Sequence, residues 1–187
     1  MKEPNKSIEP TGASRSGQLQ YARQRRLAPA AHAQRWASSH AMRQFDRSKS
    51  LQQLEGKDWG EPTFDSHLVT ECHRLHRIPL RDFTIEDLRI TVGQDIGLEY
   101  LVPLALERLQ ENPFAEGAYY PCDLLVNVLG SDAKYWQSHP DHCKQLVAIT
   151  ERAIEAFPTV PDIASKTVTK AVTRAYEQFK KRQKSMA

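Results

Sequence analysis

Leu80-Arg81-Asp82-Phe83-Thr84-Ile85-Glu86-Asp87-Leu88-Arg89-Ile90-Thr91-Val92-Gly93 lies inside the stretch from Leu51 to Leu125, which holds most of the chain's local start and stop signals. Thr84 followed by Asp87 has the shape of a capping box with Asp in place of Glu, so it predicts a helix start. Ile85, Leu88 and Val92 then share one side of that helix. Gly93 and Gly97 bracket the turn that follows. The next helix carries Leu98 to Leu109, with Pro103 either kinking it or in its first turn, and Asn112-Pro113 stops it.

Working outward, Ser48 is the expected cap of a short helix that ends at Gly56, with Leu51 and Leu54 inward. Trp59-Gly60-Glu61-Pro62 reads as a turn or an extended link. Trp59 is expected to pack on the body and to pin residues 48–56 to it, with a cost of about 3–5 kcal/mol for Trp59→Ala if the ring is fully buried. A helix should begin near Asp65 or Ser66, with Leu68, Val69, Cys72 and Leu75 on one face, and end before Pro79. Pro121 suits the first turn of a further helix that buries Leu124, Leu125, Val128 and Leu129 and closes at Gly130. Ser131 to Trp136 adds a turn. Pro140 opens a helix through Phe157, using Leu146, Ile149 and Ala153. Asp162 is the expected cap of a last helix with Val168, Val172, Tyr176 and Phe179 inward and a lysine-rich end that suits the helix dipole. No alternating run supports a strand. The predicted class is all-α, an irregular bundle of about six or seven short helices.

The 187 residues carry a net charge of +3, which hides an asymmetry. Residues 1–41 hold seven Lys/Arg and two Glu; residues 42–163 hold twelve Lys/Arg and twenty Asp/Glu; residues 164–187 hold seven Lys/Arg and Glu177. The net charges are therefore +5, −8 and +6, an acidic middle between two basic ends. Residues 1–41 are rich in Ser, Ala, Gln, Arg and Pro and poor in large apolar side chains, so they read as a disordered basic N-terminal extension. Arg23, Arg25 and Arg26 offer a nucleic-acid or acidic-membrane contact, but few aromatics accompany them to stack on bases. Met42 is a plausible alternative initiator, and 42–187 reads as one helical domain. Cys72, Cys122 and Cys143 are too few for a disulfide framework and suggest a reducing compartment. With no leader pattern and no apolar run of transmembrane length, the expected setting is cytoplasmic, without a membrane partner.

Catalytic and metal patterns are weak. Cys72 and His76 are four apart on a predicted helix, and His139, His142 and Cys143 form a second group, which could in principle hold zinc. Neither pair has the two-residue cysteine spacing of a strong zinc motif, and Cys72 falls on an apolar face. No nucleophile signature, phosphate loop or H-E-x-x-H is present. The expectation is a binder with no catalytic residues, no metal and no cofactor.

Between Asp82 and Asp123 there are nine acidic residues against Arg89 and Arg108. Asp82, Glu86, Glu99, Glu107, Glu111, Glu116 and Asp123 are the candidate contacts for a basic partner, with Glu107 and Glu111 the best candidates for an exposed pair. Tyr100, Tyr119 and Tyr120 flank them, an ordinary interface composition.

Leu51-x-x-Leu54-Glu55-Gly56-x-Asp58-Trp59-Gly60-Glu61-Pro62, then Leu80-x-Asp82-Phe83-Thr84-x-Glu86-Asp87-Leu88-Arg89-Ile90, then Gly93-Gln94-x-Ile96-Gly97-Leu98, then Leu101-Val102-Pro103-Leu104-Ala105-Leu106 and Asn112-Pro113 occur in that order. Across about residues 48–130 this resembles the immunity proteins of bacterial contact-dependent growth inhibition systems, and more narrowly their helical branch. The resemblance implies a cytoplasmic protein that binds the C-terminal toxin domain of a delivered effector and blocks it. Many such toxins are nucleases, and an acidic inhibitor suits one as a mimic of nucleic-acid charge. It also favours Met42 as the start and carries no catalytic residues. The reading from another class is a nucleic-acid-binding regulator that uses the basic ends.

Overall fold

The computed structural model describes residues 45–185. Among them are eight α-helices: α1 (Leu51–Glu55), α2 (His67–His76), α3 (Ile85–Gly93), α4 (Leu98–Glu111), α5 (Asp123–Gly130), α6 (Ala133–Ser138), α7 (Pro140–Ala156) and α8 (Lys166–Lys184). Single 3₁₀ turns cover Leu80–Asp82 and Phe157–Thr159. The described residues form no strand, only an isolated antiparallel bridge between Ser50 and Pro79. No described helix is long and apolar enough to cross a membrane. The fold is the all-α bundle that the residue pattern predicts. The reading of 1–41 as a disordered extension, and the boundary at Met42, lie outside the described residues.

Short-range chemistry sets the helix ends. The box at Thr84 forms as read: Asp87 donates its N–H to Thr84 Oγ1 at 3.2 Å, and Asp87 Oδ2 accepts the Thr84 N–H at 2.8 Å. Ser66 caps α2. Ser50 rather than Ser48 caps α1, in a box with Gln53, because Ser48 is already taken. Its hydroxyl and its N–H both donate to Asp46 Oδ1, at 2.6 and 2.9 Å. Gly56, at φ 65°, closes α1 in the left-handed region that glycine enters without steric cost. Ser165 rather than Asp162 caps the last helix, since the chain first turns inward to bury Ile163. Pro121 sits before α5 rather than in its first turn. Cys122 takes φ 73° there and delays the helix to Asp123.

The core sits on α4 and α5. Every residue from Leu101 to Leu106 is buried, as is Leu109, and α5 buries Leu124, Leu125, Val128 and Leu129. Helix α3 packs on both, α2 packs on α3, α7 covers α4, and α8 lies across α5, α6 and α7. Pro103 is interior to α4, beyond its first turn, so the Glu99 carbonyl lacks its helical donor. Two arginines from distant helices satisfy carbonyls at helix ends. Arg152 of α7 donates to Leu109 O and Gln110 O at 3.1 and 2.9 Å. Arg182 of α8 donates to the carbonyls of Leu129, Gly130 and Ser131 at the end of α5. Trp136 is buried edge-on to Phe179, and its indole N–H donates to Ser131 Oγ at 3.0 Å.

Two inward assignments need correction. Leu68 is 42% exposed, because the apolar stripe of α2 runs past the edge of the body. Trp59 is 37% exposed rather than fully packed. Its ring lies flat on His76 (centroids 3.9 Å apart, 13° between planes) and edge-on to His73. It therefore anchors the link 57–66 to α2.

Candidate functional site

The acidic run divides into groups, most of them met by cations, and several of these come from outside the run. The first group centres on Arg89 of α3. Glu86 accepts from Arg89 Nε at 2.6 Å and from Nη2 at 2.7 Å, and its Oε2 accepts the Ala118 N–H at 2.8 Å. Asp123, at the first turn of α5, accepts the N–H groups of Gly117 at 2.7 Å and Tyr119 at 3.2 Å. Its Oδ2 lies 3.8 Å from Arg89 Nε. The Arg89 guanidinium also sits 4.6 Å from the centre of the Tyr119 ring. A Cβ at Gly117 would come within 2.4 Å of Glu86 Oε2, so glycine lets the loop approach this closely. The Arg89 hydrogen bond holds the Glu86 carboxyl below its usual range against the opposing effect of burial, and Glu86 in turn raises Arg89.

This cluster faces inward. Asp123 is 1% exposed, and its carboxylate organises loop 117–119 instead of presenting charge. Asp123 is thus removed from the exposed face, and Glu86 is shared between solvent and loop. The remaining candidates lie nearer the surface. Glu107 accepts from Arg47 at 2.6 Å, and Arg81 donates its N–H to Arg47 O at 2.9 Å, bringing exposed Asp82 into the same neighbourhood. Glu111 is exposed, with Arg108 at 3.9 Å. Glu107 and Glu111 are one helical turn apart on α4. Glu99 is exposed two turns earlier, about 12 Å along the axis, and faces His139 Nε2 at 3.3 Å. Glu116 is half-buried in the loop before α5, near Cys122. So Glu86 and Asp123 meet, Asp82 and Glu107 share a region through Arg47, and Glu99 stands apart.

The thiols and imidazoles do not converge. Burial raises all three cysteines, Cys122 to about 12, so none is a ready thiolate. His76 is buried beneath Trp59, with Nε2 3.5 Å from Glu55. His139 and His142 stack with Tyr135, whose hydroxyl is 2.7 Å from His142 Nδ1. Among the described residues no group of three or more His, Cys, Asp or Glu is placed to hold a metal ion.

Among the described residues, the exposed large apolar side chains were not legible as such. Trp59, Phe64 and Leu68 belong to the link 57–66 and the first turn of α2; Tyr119 covers Arg89. Sequence offered only a weak signal for the first three. Phe64 falls between turn residues, and Leu68 fits the inward stripe.

Comparisons with curated proteins and with solved structures give no match. The family model described as CDI immunity proteins matches residues 53–146, from within α1 to within α7. That span is half of the chain and includes both central helices, and the chain belongs to the CDI immunity protein family.

Proposed function

We propose that this immunity protein binds the C-terminal toxin domain of its cognate effector in the cytoplasm, that this toxin is a nuclease, and that carboxylates of the acidic middle meet its basic substrate cleft. The observation that carries the reading is family membership across residues 53–146. The net charge of −8 over residues 42–163 supports the choice of a basic partner. Asp82, Glu99, Glu107 and Glu111 are the carboxylates for contact, with Glu86 and Glu116 at the margin. Their cations Arg47, Arg81 and Arg108 are surface side chains, and exposed pairs of this kind exchange partners at little cost. The test is titration of the full chain with the toxin domain encoded beside it, together with a nuclease assay. One-to-one binding that abolishes cleavage supports the reading. No binding removes it, and binding to a toxin without nuclease activity removes the nuclease part.

A further inference from the structure

We infer that the outer face of α8 docks on the phosphate backbone of duplex DNA. This stands apart from the toxin reading. The family match ends at residue 146, before α8, and the carboxylates named for toxin contact lie on other elements. Residues 166–184 carry seven Lys/Arg and Glu177, net +6. Two of the seven are engaged within the molecule. Arg182 turns inward to the carbonyls at the end of α5, and Lys180 Nζ lies 4.3 Å from the centre of the Tyr176 ring. The other five, Lys166, Lys170, Arg174, Lys181 and Lys184, are exposed, and none is in an ion pair with another described residue. Their spacing puts them on one side of the helix, opposite buried Val168, Val172, Tyr176 and Phe179. The stripe is about 27 Å long.

Acidic neighbours do not cancel this charge. Residues 123–184, which hold α8 and the helices it packs on, carry ten Lys/Arg against seven Asp/Glu, net +3. Of those acids Asp123 is buried, Asp141 accepts from Lys144 and Glu151 accepts from Tyr176. Glu177 is the one acid within the stripe itself.

The make-up of the face selects its occupant. The exposed large apolar side chains among the described residues, Trp59, Phe64, Leu68 and Tyr119, belong to other elements. A tight protein partner needs a desolvated apolar or aromatic centre, whereas a polyanion is held by charge and counterion release alone. The apolar side of α8 is buried, so the helix has nothing to insert into a membrane. With Tyr176 and Phe179 buried, no aromatic of α8 is free to stack on single-stranded bases. A helix embedded on one side can still lay its outer face along the major groove of B-form DNA, about 12 Å wide. The major groove of A-form RNA is too deep and narrow for side chains to reach into.

The test is fluorescence anisotropy of the full chain on labelled duplex DNA of mixed sequence. Binding should not depend on sequence. The logarithm of affinity should fall against the logarithm of salt with a slope of about −4 to −5, roughly −0.9 for each phosphate contact. Lys170→Gln, Arg174→Gln and Lys181→Gln should each make that slope shallower by about one. Together they should weaken binding about a hundredfold or more at about 50 mM salt, and the single variants carry the test if the triple variant does not fold. Lys49→Gln with Lys57→Gln and Arg81→Gln removes the same charge from the flanks of α1 and the Leu80–Asp82 turn, and should change affinity by less than about threefold. No binding by the parent at low salt overturns the inference. Equal losses in the two triple variants overturn it as well, since net charge and not the stripe would then act. A loss confined to Arg23→Gln with Arg25→Gln and Arg26→Gln would move binding to the N-terminal residues, and tighter binding to duplex RNA would overturn the choice of DNA. Failure here leaves toxin binding untouched, and failure to bind the toxin leaves this inference standing.

Discussion

Trp59 and His76 are coupled through one stacked contact, and the pair has a pH signature. Fully burying a Trp would make its loss cost about 3–5 kcal/mol. A ring that is one-third exposed and resting on one imidazole should cost less, and Trp59→Ala is expected to lower stability by about 1–2 kcal/mol in urea unfolding. His76 is 1% exposed, and that burial pushes its pKa down even though Glu55 acts to raise it. The unfolded chain titrates near the ordinary value of about 6.5. As pH falls through that value the unfolded state binds its proton first, so stability should decline below about pH 6.5. A second decline belongs to Glu86, whose carboxyl Arg89 holds low. Its contribution is present above the ordinary carboxylate value of about 4.3 and is lost as pH falls further. Urea midpoints measured from pH 8 to pH 2 should therefore fall in two stages. His76→Gln should remove the first stage alone, and Trp59→Ala should weaken it by letting water reach the imidazole. A single carboxylate stage in the parent protein would refute the assignment to His76.

Helix ends separate what local sequence encodes from what only the folded chain can supply. The Thr84/Asp87 box is legible because its groups lie three residues apart, and Thr84→Ala should cost about 1 kcal/mol. Choosing between Ser48 and Ser50 already needs more, since Asp46 decides it by occupying Ser48. The end of α5 is beyond any local reading. Its donor, Arg182, is more than fifty residues away on α8, in what reads as the lysine-rich end of the last helix. Arg182→Met keeps most of the aliphatic packing and removes the donors from three carbonyls, so it should destabilise by about 1–3 kcal/mol. The same change at exposed Lys184 should stay within about 0.5 kcal/mol, and equal effects at both sites would show that Arg182 does not cap α5. Periodicity identified the inward faces of α3, α5 and α8, because those helices are covered along their length. It failed at Leu68, since a stripe in sequence does not say where the body that covers it ends. The burial of Asp123 was not legible for a related reason: nothing in its neighbours reveals that the N–H groups of Gly117 and Tyr119 will fold back onto it.

At the scale of the whole molecule, the acidic middle contains carboxylates of two kinds, and one set of substitutions tells them apart. Asp123 is structural. Asp123→Asn keeps one acceptor oxygen but cannot satisfy both loop N–H groups and Arg89, so it should lower stability by about 1–3 kcal/mol. Any effect on toxin affinity should follow from the altered loop. Asp82, Glu99 and Glu111 are exposed, and exposed charges contribute little to stability, so their reversal to Lys should leave unfolding within about 0.5 kcal/mol of the parent. Toxin association is where they should act. A partner with a basic cleft is drawn by the summed field of these groups, and each reversal changes that field by two charges. Association should slow progressively from the single to the triple variant. The effect should shrink at high ionic strength, as the screening length falls from about 10 Å at 0.1 M to about 3 Å at 1 M. Dissociation should move less, because rim charges steer more than they hold. Glu107 is the informative intermediate. Its half-buried carboxylate holds Arg47, so Glu107→Lys both removes an acid and frees a cation, and its loss should exceed that of Glu111→Lys. Stopped-flow association of the variants with the toxin domain, at two salt concentrations, reads all of these at once. Rates that ignore both charge and salt would take the carboxylates out of the mechanism.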